Sequence, residues 1–148
     1  MQPRFNYREV HPEAFQAMLA FESFARNCGI DQGLYELIRV RVSQINGCAF
    51  CIDKHAKELL SQGENLDRLL LLTAWRVTPI YTEKEKAALE LAECVTLISE
   101  GGVPDHVYEN VRAHFSEKEY VDLLMAINAI NCWNRISIPT GMFPGCFI

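Results

Sequence analysis

The chain has 148 residues, of which 49% are apolar, and its 19 acidic and 14 basic residues give a formal charge of −5. That size and balance suit a single domain spanning 1–148 and exclude a disordered polymer, while the lack of a dense Lys/Arg run argues against a nucleic-acid partner. The strongest apolar run, LLLLTAW at 69–75, is too short to span a bilayer and the first fifteen residues hold no signal-type apolar stretch, so the expectation is a cytoplasmic protein with no membrane contact.

Taken in order, residues 12 to 27 place Phe15, Met18, Leu19 and Phe24 at helical spacing, with Pro12 suited to a first turn and Gly29 just past the end. That stripe reads as core or subunit packing rather than pocket lining. Asp31 is the N-cap expected for a second helix running to about Gln44, preferred over a short strand at 38–42 because the helical period continues on both sides. Asn46-Gly47 supplies a stop and a turn, and a third helix runs from about Cys48 to Gln62-Gly63. Residues 66 to 77 form a further helix, closed by Thr78-Pro79.

Thr82 with Glu85, and Ser116 with Glu119, are capping boxes, in which a hydroxyl and a carboxylate satisfy each other's free backbone amides. They open helices to about Ser99 and Arg135, with another between Pro104 and His114. The tail from residue 136, with two prolines and two glycines, is expected to end the last helix. Residues 121 to 133 are apolar on nearly every side, which makes that helix either central or shared between subunits. The expected architecture is all-α, an irregular bundle of six or seven helices. Trp133 reads as packing, and Asn128, Asn131, Asn134 and Arg135 as ties between helices or subunits.

The chemistry concentrates in residues 34 to 55, LYELIRVRVSQINGCAFCIDKH. On a helix starting after Gly47, Cys48 and Cys51 are i, i+3 neighbours, and His55 is i+4 from Cys51, so the three share a face. Two thiols one turn apart can close and reopen a disulfide, and a helix start favours the thiolate. His55, a surface residue if taken alone, becomes a proton relay beside such a pair. A zinc site would need a second ligand pair, and His106 and His114 are eight residues apart; haem attachment would need histidine where Ile52 stands. Cys28, Cys94 and Cys132 read as free thiols in helical patterns; Cys146 has no assigned role.

The spacing of Glu36, Cys48, Cys51 and His55, together with the words SQINGCAFCIDKH and NAINCWNRISI, resembles the signature of the AhpD-like alkylhydroperoxidases within the carboxymuconolactone decarboxylase superfamily. Glu36 by itself would pass for a solvated carboxylate; the resemblance makes it a relay member. It also implies the all-helical fold, a homo-oligomer (trimer or hexamer) and a hydroperoxide substrate. The reductant would be a lipoyl-bearing or thioredoxin-like dithiol, with no bound cofactor or metal.

Helix electrostatics favours Cys48 as nucleophile, whereas the resemblance assigns the sulfenic acid to Cys51 and makes Cys48 its proton donor and resolving partner. One position departs from the pattern: the founding peroxidase has histidine immediately before the second cysteine, where this chain has Phe50. Two other functions stay open on the sequence, a thiol-disulfide oxidoreductase or redox sensor with little peroxidase activity, and a carboxymuconolactone decarboxylase.

Overall fold

The computed structural model describes residues 1–147. Its two central helices are α3 (Gln32–Asn46) and α8 (Glu117–Thr140), which pack on one another. Both are buried on more than one face, with Leu37, Ile38, Leu123, Ile127 and Ile130 at 1% exposure or less. Each such side chain contributes roughly 1.5–3 kcal/mol over its exposed state. Around them lie α1 (Tyr7–Val10), α2 (Pro12–Asn27), α4 (Ala49–Ser61), α5 (Leu66–Leu70), α6 (Glu83–Thr96) and α7 (Asp105–Arg112). Two 3-10 segments, Leu72–Val77 and Ile98–Glu100, complete the described elements, and no strand is present among the described residues. None of the described helices is long and apolar enough to cross a membrane.

The caps fall where the sequence puts them. Asp31 accepts from the Leu34 amide at 3.0 Å, and both boxes close, Thr82 with Glu85 and Ser116 with Glu119. The dense apolar stretch of α8 sits at the centre of the chain's own core, packed against α2, α3 and α6.

Three boundaries and one burial pattern differ from expectation. The run 66 to 77 is broken at Leu71: α5 ends there and a 3-10 segment follows. A 3-10 repeat stacks i and i+3, which turns both Leu72 and Trp75 into the core and lets Trp75 Nε1 donate to Glu93 at 2.8 Å. Next, α6 ends at Thr96 rather than near Ser99, with a 3-10 turn after it.

The helix expected to stop at Arg135 continues to Thr140, with Pro139 inside its last turn. There the chain end is closed by a Schellman arrangement, Met142 N–H to Ser137 O at 2.9 Å and Gly141 N–H to Ile138 O at 3.0 Å, with Gly141 at φ 74°. Arg4 caps the remaining carbonyls, Nη1 on Pro139 O at 3.0 Å and its amide on Thr140 O at 2.9 Å. Finally, the α2 stripe is only partly core: Phe15 packs against the Tyr7, Met142 and Cys146 cluster but also lines a cavity with Leu19, Phe24 is exposed, and α2 packs on α8 through Phe21 and Ala25.

Candidate active site

The elbow between α3 and α4 is made by Gly47, whose φ of 71° suits a residue without a Cβ. Gly47 N–H bonds Gln44 O at 3.3 Å and Cys48 N–H bonds Ser43 O at 3.0 Å, which closes α3. Cys48 then serves as N-cap of α4, its carbonyl accepting from Ile52 N–H at 2.9 Å. One residue therefore ends one helix and starts the next. Asn46 pins this elbow to α8, donating to Asn131 Oδ1 at 3.0 Å and Asn134 Oδ1 at 2.9 Å, while Asn134 donates to Ser43 Oγ at 3.0 Å. Asn131 and Asn134 thus act as helix ties, whereas Asn128 is exposed.

Both thiols are buried and unbridged, Cys48 at 1% and Cys51 at 2% exposure. They are not equivalent. Cys48 donates its S–H toward Cys51, and this hydrogen bond is the main reason the Cys51 thiol is held down to about 6. Burial opposes that shift; hydrogen bonds from Ser137 and Asn134 and the charge of His55 reinforce it. Ser137 Oγ lies 3.7 Å from the sulfur. Cys48 moves the other way, pushed up by giving its hydrogen to Cys51 and by burial. These directions favour Cys51 over Cys48 as the sulfur that gives up its proton, opposite to the helix-start argument.

His55, one turn on, is 2% exposed, and its Nδ1 faces two carboxylates. Glu58 Oε2 is 2.8 Å away and accepts the Nδ1–H hydrogen bond; Glu36 Oε2 is 3.3 Å away and has no hydrogen-bond partner of its own. The turn therefore brings all four expected site residues into one neighbourhood. Burial works against ionisation of Glu58, but the hydrogen bond and charge of His55 bring its carboxyl down to about 2. Glu58 did not figure in the sequence reading. Its signal was available, as an acid three residues past His55 on the same helix face.

Glu36 is fully buried, not a solvated carboxylate. Its Oε1 lies 3.3 Å from both Arg39 Nη1 and Arg26 Nη2, and Arg39 also pairs with Glu22 at 2.6 Å. A buried ion-pair network of this kind rests on mutual compensation, since each charge alone would be costly to desolvate. One donor atom each from Glu36, His55 and Glu58 lies within 4.8 Å of the others, a spacing that could hold a cation, although two guanidinium groups already compete for Glu36.

A cavity of about 200 Å³ opens over this cluster. Cys51, His55 and Ser137 lie at its reactive wall, and Phe15, Leu19, Phe50, Trp133 and Met142 supply apolar surface. Cys48 does not line it. Trp133 packs edge-on to Phe15 at 6.2 Å, so it both packs and lines the cavity, more than the packing role the sequence suggested. Phe50, standing where the resemblance has histidine, contributes apolar wall and no proton. Cys146 is buried near Tyr7 and Met142, in the small cluster behind that wall.

An all-helical bundle whose elbow carries a CxxC pair beside a His/carboxylate network, with Cys51 and His55 facing one cavity, is an AhpD-like fold. The chain belongs to the carboxymuconolactone decarboxylase family, whose model matches residues 12–93. Uncharacterized protein YdfG of Bacillus subtilis (strain 168) is 47% identical over 141 residues, covering 95% of this chain and 96% of that one. The crystal structure of ATU0492 from Agrobacterium tumefaciens, a protein of unknown function provisionally described as antioxidant defence protein AhpD, matches with a TM-score of 0.93 at 43% identity, covering 97% of this chain and 99% of that one. Alkyl hydroperoxide reductase AhpD of Bradyrhizobium diazoefficiens is 41% identical over 66 residues, 45% of this chain and 35% of that enzyme.

Proposed function

We propose that the chain is a thiol-dependent alkyl hydroperoxide reductase in which Cys51 is the attacking sulfur. The observation that carries this is the asymmetry of the pair: Cys51 lines the cavity, with Ser137 Oγ 3.7 Å from its sulfur, while Cys48 does not line it. Cys51 thiolate attacks the terminal oxygen of the hydroperoxide; an S–O bond forms, the O–O bond breaks and the substrate leaves as alkoxide. Cys48 gives that alkoxide its proton, releasing the alcohol, and becomes a thiolate itself. It then attacks the Cys51 sulfenic acid, and hydroxide leaves as water with a proton from His55. Glu58 and Glu36 hold the imidazole for that transfer and for its reprotonation. Two electrons have left the thiol pair, and an external dithiol of lipoyl or thioredoxin type returns them by exchange.

The chain's relation to proteins named alkyl hydroperoxide reductase AhpD supports the reading. The reading includes a homo-oligomer, a trimer or hexamer, for which exposed Phe24, Leu66, Leu70 and Val77 are available as contact residues. The apolar Phe50 favours a second reading, a dithiol-disulfide exchanger with slow peroxide turnover. One experiment separates them. Reduced protein freed of reductant is given one equivalent of cumene hydroperoxide, and its thiols are mapped by peptide mass over time. Peroxidase chemistry gives a Cys48–Cys51 disulfide within seconds, abolished by Cys51→Ser. Thiols that survive peroxide but equilibrate quickly with lipoamide identify the exchanger.

A further inference from the structure

Among the described residues, one basic side chain lining the cavity has no carboxylate partner. Among its lining residues, Arg39 is neutralised by Glu22 and Glu36, and Lys54 lies 3.4 Å from Glu58. Arg8 also lines the cavity, and no carboxylate among the described residues pairs with it. Its guanidinium is stacked among aromatic rings, 5.1 Å from the centroid of Phe15, 5.9 Å from Phe147 and 6.0 Å from Tyr7. Its Nε is buried without a hydrogen-bond partner. The neighbouring Tyr7 phenol, raised by burial, stays neutral and offers no counter-charge.

A guanidinium held in one orientation, partly desolvated and lacking an anion, has a strong preference for a planar acceptor. Phe15, Leu19, Phe50, Trp133 and Met142 supply an apolar stretch of wall, the polar lining residues Glu22, Arg39, Lys54, His55 and Ser137 have partners of their own, and the volume of about 200 Å³ is smaller than a drug-sized site of roughly 300–1,000 Å³. A compact molecule fits these conditions, with an apolar body, a reactive end at Cys51 and an anionic end at Arg8.

We propose that Arg8 forms an anion subsite, and that the substrate is a compact alkyl or aryl hydroperoxide carrying a carboxylate. The proposal rests on the peroxidase reading for its reactive end and on the cavity alone for its anionic end. The probes are 4-(2-hydroperoxypropan-2-yl)benzoate and its methyl ester, which differ only in charge. Binding of the inert analogue 4-isopropylbenzoate, followed by calorimetry against its own methyl ester, reads the subsite without chemistry.

A charge-assisted hydrogen bond of ordinary strength corresponds to a roughly ten- to hundredfold preference for the acid in kcat/KM and in Kd. Arg8→Gln removes that preference by acting on the acid alone, and Arg8→Lys restores part of it. Equal use of acid and ester by the native protein overturns the proposal, as does an Arg8→Gln effect that falls equally on both. If neither hydroperoxide reacts, the peroxidase reading fails, and the calorimetric comparison still decides for or against the subsite.

Discussion

Replacing Cys48 by alanine tests the asymmetry of the thiol pair directly. The Cys48 hydrogen bond is the largest of the effects that bring Cys51 down to about 6, and a hydrogen bond to a charged acceptor contributes roughly 1.5–3 kcal/mol. At 1.36 kcal/mol per pH unit, its loss raises the Cys51 titration by about one to two units, to between about 7 and 8. The thiolate fraction at pH 7 then falls from about nine-tenths to between about a half and a tenth. The remaining donors, Ser137 and Asn134, and the charge of His55 keep it from returning fully to the ordinary thiol range. The assay is the rate of iodoacetamide alkylation at each cysteine as a function of pH, read by peptide mass, with the thiolate absorbance near 240 nm as a second readout. In the native protein Cys51 is alkylated first, with a midpoint near 6; in Cys48→Ala the midpoint climbs. Native protein in which Cys48 reacts first, or a Cys48→Ala variant whose midpoint stays where it was, refutes the reasoning.

The two carboxylates facing His55 respond differently. Glu36→Gln breaks a buried ion-pair network and is expected to cost about 3–5 kcal/mol in denaturant unfolding, whereas Glu58→Gln, at a partly exposed site, costs far less stability but lowers peroxide kcat/KM roughly tenfold through its hydrogen bond to His55. The reduced protein gains thermal stability as pH rises from about 6 toward the ordinary thiol range, because Cys51 titrates lower when folded than when unfolded. Above that range stability declines again, because Cys48 titrates higher when folded. Melting curves of Cys51→Ser lack the rising limb. Gly47→Ala places a Cβ on a left-handed residue and is expected to cost about 1–2 kcal/mol of unfolding free energy, with slower disulfide formation under peroxide.

Local signals with a mechanism of their own carried furthest. Thr82 with Glu85, Ser116 with Glu119, Asp31 and Asn46-Gly47 each satisfy identifiable backbone groups, and each forms as expected. The spacing of Glu36 to His55 was readable because an elbow at Gly47 folds α3 against α4 at a fixed register. What was not legible depends on distant partners. The extension through Pro139 relies on Arg4, 135 residues away in sequence, and the break at Leu71 on Trp75 reaching Glu93. The α2 stripe misled because periodicity reports an apolar face but not what that face meets; here Phe15 and Leu19 meet a cavity. Glu58 is an acid at i+3 from a helical histidine, a placement common on solvated faces, and only the burial of His55 makes it that residue's partner.

Cys48 joins α3 to α4 through its own amide and carbonyl, so it is the pin of a joint as well as a member of the proposed redox pair. A bridge to Cys51 would clamp that pin to the first turn of α4. The electron count of the pair would then be written into the stiffness of the joint: in the oxidised chain the amides at the start of α4 should exchange with deuterium more slowly than in the reduced chain. On the proposed chemistry, a reducing partner would meet a rigid knuckle and leave behind a looser one, and that mechanical difference would give it a means of telling spent protein from recharged.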